Sequence, residues 1–360
     1  MDFLVENALK NQEQFKFSTS SNAGQANIKV IGCGGAGNNT VSWLYNKGVE
    51  GAETIVLNTD IQHLNISNAD QKILVGKELT RGLGAGGHPQ IGAQAVEESQ
   101  HEVKQMLKGT DLLFLCAGMG GGTGTGAAPV VARLAKELGS IIIGVVTMPF
   151  NVERARIEKA EYGLQLLREY CDSVIVIDNN KLVQIAGNLP MAQSFAVANE
   201  LISTMIKGIV ETIALPSLIN LDFADVKAIM KMGGLCVMGI GESYSEHKAE
   251  EAVKRALNNP LLEVNYTGAE GALIHITGGP DMTLEEASKA AELITSSLSN
   301  EANVIWGARI EEGMTGKMRI MSIITGVQSP YIVGPQNKKQ AQANNSGQKI
   351  EKESLGIRMI

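Results

Sequence analysis

From Ile28 onward the chain repeats one device. Short runs of β-branched residues and leucine, IKVIG, TIVLN, ILV, LLFLC, IIIGVV and VIVID, alternate with longer amphipathic segments of helical spacing. Runs this short and this continuously apolar bury both faces, as a parallel sheet covered by helices on each side requires. The alternation predicts a Rossmann-like, parallel-sheet α/β domain over residues 28–194. Further on, LCVMGIG, ALIHIT, NVIWGARI and MRIMSIITG, separated by two helical segments, predict a smaller α+β domain over residues 216–330. Between the two, Phe195, Ala198, Ile202, Met205, Ile209 and Ile213 recur at helical spacing, and Leu201, Ile206 and Val210 widen the face. A helix apolar nearly all round is buried, so residues 195–215 read as a central helix joining the domains.

The ends differ in character. Residues 1–27 form a polar arm rich in Asn, Gln and Ser. Residues 331–360 hold too few apolar groups to offset ordering entropy and read as a disordered tail. Five Lys or Arg against two Glu leave the tail at +3, while the chain as a whole carries −7. The tail closes on SLGIRMI, an apolar segment on a basic tether, which suggests a partner-binding element; a plain frayed terminus is the alternative.

Composition narrows the classes. With 44% hydrophobic and 19% charged residues the chain can bury the cores of two domains. No apolar run approaches the roughly 20 residues that cross a bilayer, so a cytoplasmic protein without a membrane span is expected. The negative charge argues against nucleic acid as a partner. Cys33, Cys116, Cys171 and Cys236 lack C-x-x-C spacing and read as buried thiols. Without H-E-x-x-H or clustered histidines, no metal held by protein side chains is expected.

Three glycine-rich loops carry the chemistry. In VIGCGGAGNN, Gly32, Gly34 and Gly37 satisfy G-x-G-x-x-G, with Asp60 after the next strand. Alone this fits a dinucleotide site or a purely structural turn. In AGMGGGTGTGAAP, six glycines between Gly118 and Gly126 separate LLFLC from a helix expected near Ala127 and Ala128, with Pro129 in its first turn. RGLGAGGHP, Arg81 to Pro89, again precedes an amphipathic segment. Loops at the carboxyl ends of parallel strands share one crevice, where helix N-terminal amides attract phosphate. No G-x-x-x-x-G-K-[ST] is present, so the P-loop lysine is missing and backbone must take over its role.

GGGTGTG at Gly120–Gly126, GCGGAGNN upstream and NLDFADV at Asn220–Val226 occur together, and the chain closely resembles the FtsZ branch of the tubulin/FtsZ superfamily over roughly Ile28 to Gln328. RGLGAGG, ALIHITG and IITGVQS are most similar to archaeal members. The resemblance implies a GTP-binding domain, an activation domain, head-to-tail filaments and a cell-division role at mid-cell. It implies GTP or GDP as the ligand, with Mg²⁺ held mainly by phosphates and water.

Carried over by position, the resemblance puts Gly34, Gly35, Ala36, Gly37, Asn38 and Asn39 at the phosphate end. Gly120, Gly121, Gly122, Thr123, Gly124, Thr125 and Gly126 would hold the α- and β-phosphates through backbone N–H, and Ala85, Gly86 and Gly87 would approach the γ-phosphate. Asn58 and Asp60 would lie beside them, Asp60 orienting the hydrated cation. Glu153 would bond the ribose and Arg156 would add charge, with Arg154 as the fallback because the family's Glu and Arg stand four residues apart and these only three. Asn179 and Asn199 would read guanine under a stacked Phe195. Many relatives carry Asp where Asn199 stands, and Glu200 is the expected substitute.

The acidic NLDFADV would be repelled by phosphate in its own subunit. Asp222 as a plain helix N-cap is one reading. The family implies another, in which Asn220, Asp222 and Asp225 close over the nucleotide of the next subunit and orient the attacking water. The expected partners are thus other copies of the chain, a membrane-bound adaptor such as a SepF-like protein at the tail, and a possible paralogue. A Rossmann-type NAD-dependent oxidoreductase is the alternative; it offers no hydride-transfer acid or base and leaves two glycine loops unexplained.

Overall fold

The computed structural model describes residues 26–214, 219, 223–231, 236–258, 266 and 269–327. Asn220 and Asp222 lie outside the described residues, as do the tail and all but the last two residues of the arm.

Six strands form one parallel sheet: β1 (Ile28–Cys33), β2 (Ala52–Asn58), β3 (Gln71–Leu74), β4 (Leu112–Gly118), β5 (Ile141–Met148) and β6 (Ser173–Asp178). Their order is β3-β2-β1-β4-β5-β6. The chain steps outward from β1 to β3, then returns to β4 on the other side of β1. The crevice between the carboxyl ends of β1 and β4 is where such sheets take ligands. Strand alternation divides the apolar side chains between two cores. Ile31, Ile55, Leu115 and Ile142 face one core, and Val30, Val56, Phe114 and Ile143 face the other.

The second core continues through the central helix into the other domain. That domain's sheet comprises β7 (Cys236–Ser243), β8 (Gly271–Gly278), β9 (Asn303–Ile310) and β10 (Met318–Thr325), ordered β7-β10-β8-β9. Only the β8–β9 pair is parallel. Ile202, Met205 and Ile209 of the central helix share one core with Ile274, Ile276 and Ile320 of this sheet. Each such isoleucine contributes about 1.5–3 kcal/mol over an exposed one, so the helix fastens the two sheets together.

Among the described residues the helices are α1 (Gly34–Lys47), α2 (Ile61–Ile66), α3 (Lys77–Thr80), α4 (Pro89–Glu98), α5 (Gln100–Leu107), α6 (Thr123–Glu137), α7 (Ala155–Arg168), α8 (Asn179–Ala186), α9 (Met191–Ala214), α10 (Phe223–Lys231), α11 (Lys248–Leu257) and α12 (Leu284–Thr295). Two starts differ from expectation. The central helix α9 begins at Met191 rather than 195, and the Pro190 carbonyl accepts from the Gln193 and Ser194 amides. Helix α6 begins at Thr123 rather than near Ala127, so Pro129 sits a turn and a half in, where its missing N–H leaves the Thr125 carbonyl without its helical donor. The second half of the glycine run is therefore helix. Glycine's poor helix propensity hid it from a reading by pattern.

Helix α9 spans the molecule from pole to pole. Its 24 residues measure about 36 Å. Near its start, Asn199 Oδ1 accepts from Thr40 Oγ1 of α1 at 3.1 Å, one turn past the first glycine loop. At its end, Ala214 lies against Gly51, before the amino end of β2; a Cβ on Gly51 would come within 2.1 Å of the Ala214 Cβ. Beyond it, Ile219 pairs with Ala308 of β9, and α10 packs on β8. The glycine loops and α10 thus stand at opposite ends.

Candidate functional site

The three glycine loops touch. A Cβ on Gly34 would lie 2.7 Å from the Gly124 nitrogen, and one on Gly118 would lie 2.6 Å from the Ala36 Cβ. A Cβ on Gly122 would meet Ala85 Cβ at 2.8 Å and the Gly87 nitrogen at 3.1 Å. Loops after β1 and β4 and before α4 therefore form one continuous wall. Within the Gly118–Gly126 run, five glycines are required by this packing, the tightest being Gly126, whose Cβ would fall 1.8 Å from the Pro89 carbonyl oxygen. At Gly121 nothing lies within 4 Å of the Cβ position. That single glycine leaves room for something outside the chain.

The amides follow from the helix start. Gly126 N–H donates to the Gly122 carbonyl at 3.1 Å, the first turn-to-turn bond of α6. The amides of Gly122, Thr123, Gly124 and Thr125 precede it and have no acceptor within the helix, so they form the positive N-terminal nest. The Thr125 hydroxyl turns inward and accepts from the Gly120 amide at 2.9 Å. Gly120 and Gly126, expected to offer amides to phosphate, spend theirs inside the protein.

Asn38 and Asn58 also turn inward. With its amide oriented to match its neighbours, Asn38 donates to the carbonyls of Gly32, Gly34 and Leu57 and accepts from Asn58 Nδ2 at 3.1 Å. Asn58 Oδ1 accepts from the Thr59 and Asp60 amides at 2.9 and 3.2 Å. Both are buried, and they brace the first loop from behind; Ala36 and Asn39 are the exposed members of that turn. Asp60 Oδ1 caps α2, accepting from Gln62 and His63 amides at 2.9 and 3.1 Å. Its second carboxylate oxygen has the chemistry to orient a hydrated cation. No group of three His, Cys, Asp or Glu able to hold an ion occurs among the described residues.

The third loop is pinned by backbone. Asp60 pairs with Leu83, and Gly84 N–H donates to the Thr59 carbonyl at 3.0 Å. Thr59 Oγ1 in turn meets Thr123 Oγ1 at 2.7 Å. Ala85 is buried against Gly122, whereas Gly86 is exposed.

The sugar and base side is more open. Glu153 and Arg156 bond each other at 2.6 Å, and Glu153 also accepts from the Phe150 amide. A Cβ on Gly120 would meet Arg156 Cβ at 2.9 Å, so Arg156 rather than Arg154 lies against the glycine wall. Asn179 opens α8, where Asp178 caps the helix by accepting from the Asn180 amide. Phe195 is 40% exposed and meets Phe150 edge-on at 6.0 Å. They line a cavity of about 280 Å³ with Leu182, Val183, Leu189 and Met191. Glu200, expected to stand in for an Asp at Asn199, is committed elsewhere: it accepts from Trp43 Nε1 at 2.8 Å and pairs with Lys47 at 2.5 Å. These partners hold its carboxyl below the usual range.

Two residues beside the wall escaped the sequence reading. His63 Nε2 lies 3.5 Å from the Cβ position of Gly35. Lys159 Nζ donates to the Gly87 carbonyl at 2.7 Å; its spacing from Arg156 on one helix face was the available signal. The buried thiols of Cys33, Cys116 and Cys171 match expectation, and burial pushes Cys116 up to about 12. Asp225 lies in the first turn of α10, which follows the carboxyl end of α9 and packs on β8.

Residues 27–187 match the Tubulin/FtsZ family GTPase domain, and residues 234–328 match the FtsZ family C-terminal domain. The chain is 55% identical to cell division protein FtsZ 2 of Halobacterium salinarum, covering 95% of this chain and 88% of that one. It is also 55% identical to FtsZ 2 of Methanocaldococcus jannaschii, covering 93% and 89%. A solved FtsZ dimer from M. jannaschii, 48% identical, superposes with a TM-score of 0.78 over 90% of this chain and 92% of that one.

Proposed function

The chain belongs to the FtsZ branch of the Tubulin/FtsZ family of GTPases, and from that premise we propose that it polymerises head to tail into division-ring filaments and hydrolyses GTP where subunits meet. The family sets aside the NAD oxidoreductase, whose strand order this sheet shares; the supposed ribose acid, Asp60, caps a helix instead.

One observation carries the reading. The phosphate nest and the acidic helix of one chain lie toward opposite ends of α9: Asn199 meets Thr40 beside the first glycine loop, and Ala214, about 22 Å further along the axis, leads on to α10. Asp225 therefore cannot serve the nucleotide of its own chain. Stacking identical copies pole to pole brings one copy's acidic segment to the next copy's nest.

In this reading Gly121–Thr125 hold the α- and β-phosphates, Gly86 and Gly87 approach the γ-phosphate, Glu153 bonds the ribose, and Phe195 stacks on guanine beside Asn179 and Asn199. Asp60 would orient the water around a Mg²⁺ bound with the phosphates, and that ion would supply positive charge against the charge developing there. Asn220, Asp222 and Asp225 of the adjoining copy orient the attacking water. The chain acts at the mid-cell division site, and its tail, through Leu355–Ile360, docks a membrane-bound adaptor such as a SepF-like protein. No helix among the described residues is long and apolar enough to cross a membrane. A paralogue would share the filament.

Pelleting and light scattering with GTP, GDP, NAD or no nucleotide test the proposal. Assembly with GTP and Mg²⁺ alone is expected; tight NAD binding without assembly would overturn it. Removing Leu355–Ile360 should spare assembly and abolish membrane recruitment.

A further inference from the structure

A nest of amides carries only partial charges, and the fold lacks the lysine that P-loop proteins add to it. Helix α7 places a cation at that wall from a different direction. Arg156, Lys159 and Gly163 follow one another at three- and four-residue intervals, so they share a face. The two ends of this face touch the second glycine loop: Arg156 Cβ lies against Gly120, and a Cβ on Gly163 would come within 2.4 Å of Thr125 Cγ2. Lys159, between them, reaches across to the third loop and donates to the Gly87 carbonyl at 2.7 Å.

Its charge is unmatched. Several cations of this domain answer carboxylates: Arg133 meets Glu97 and Glu137, Lys104 meets Glu137, and Lys47 meets Glu200; Lys72 and Lys136, which like Lys159 donate to a backbone carbonyl, are exposed to water. Lys159, half-buried, has no carboxylate within 4.0 Å among the described residues, and only one of its three N–H groups goes to Gly87. A half-buried, unpaired ammonium between two loops that offer amides to phosphate has an anion as its natural complement.

We propose that Lys159 bonds the γ-phosphate and so distinguishes the triphosphate from the diphosphate, supplying from α7 the charge that the P-loop lysine supplies elsewhere. This rests on the nucleotide reading of the site. GDP ends short of the third loop and leaves Lys159 on the Gly87 carbonyl; GTP brings a further charged group within its reach.

The test is nucleotide titration of the full chain, below the concentration at which it assembles, with GDP and with a non-hydrolysable GTP analogue at fixed Mg²⁺. Lys159→Met should weaken the triphosphate roughly tenfold or more, the size of one charge-assisted hydrogen bond, and the diphosphate less than threefold. Lys159→Arg should hold triphosphate affinity near that of the unaltered chain. Equal losses for both nucleotides would show a brace for the third loop only, and no loss would remove Lys159 from the site; either result overturns the proposal. Should the Met variant fold poorly, lysine acylation of the unaltered chain decides. The triphosphate analogue should protect Lys159 and GDP should not, and equal labelling contradicts the proposal. If the unaltered chain binds neither nucleotide, the GTPase reading fails instead.

Discussion

The six-stranded parallel sheet and the four-stranded mixed sheet differ in what their ends can offer. All six parallel strands point their carboxyl ends the same way, so the loops after β1 and β4 open side by side at the point where strand order reverses. Glycine lets those loops approach until backbone meets backbone, and the first amides of α6 are left without acceptors in the helix. In the mixed sheet β10 runs against both β7 and β8, so no such row of loops forms. That domain instead carries a carboxylate, Asp225, in the first turn of α10. Binding and attack are assigned to different sheets, and the stiff α9 keeps them apart within one chain. In the proposed filament, hydrolysis then depends on meeting a second chain.

The comparison is most severely tested at two glycines of the same loop. Gly126→Ala should cost about 3 kcal/mol or more, because its Cβ would collide with the fixed Pro89 carbonyl rather than with a yielding side chain. Gly121→Ala should melt with the unaltered chain yet bind GTP roughly tenfold more weakly, since its Cβ enters only the space assigned to phosphate. Thermal melts and nucleotide titration separate the two, and equal melting points would refute the division of roles.

Next in size is Asp225→Ala. Filaments should form and persist while GTP turnover falls about a hundredfold, in line with losing one group that positions the attacking water. Normal phosphate release by that variant would show the cross-subunit site misassigned.

The mixed sheet has its own acid sensitivity. Burial, reinforced by Arg309, lowers His275 to about 4 from 6.5. As pH falls the unfolded chain takes up this proton first, so stability declines between about pH 6.5 and 4, by about 1.4 kcal/mol per pH unit at its steepest. His275→Gln should flatten that stretch in denaturant titrations across pH.

The smallest effect belongs to Glu200→Ala. Because Trp43 and Lys47 hold this half-exposed carboxylate away from the base-reading position, stability should fall by under about 1 kcal/mol. Preference for guanine over adenine nucleotides should stay the same; a collapse of preference would restore Glu200 to the base.

The alternation of strands and helices was legible because a buried parallel strand leaves its apolar run in plain view. The glycine loops were legible as anion sites for the same reason, yet their inner workings were not. Asn38 and Asn58 look from the chain like phosphate ligands, and only three dimensions reveal that each is the other's partner. Thr123–Gly126 read as loop because glycine is a poor helix former, although tertiary packing makes them the first turn of α6. Lys159 went unnoticed since its partner, Gly87, is 72 residues away.

In the proposed filament no single chain holds a whole active site. Phosphate release from GTP per subunit, followed as the protein is diluted through its assembly concentration, tests this most directly. Turnover per subunit should fall toward zero once filaments disappear. Turnover that stays constant on dilution would mean that one chain suffices and that Asp225 of a neighbouring copy is not needed.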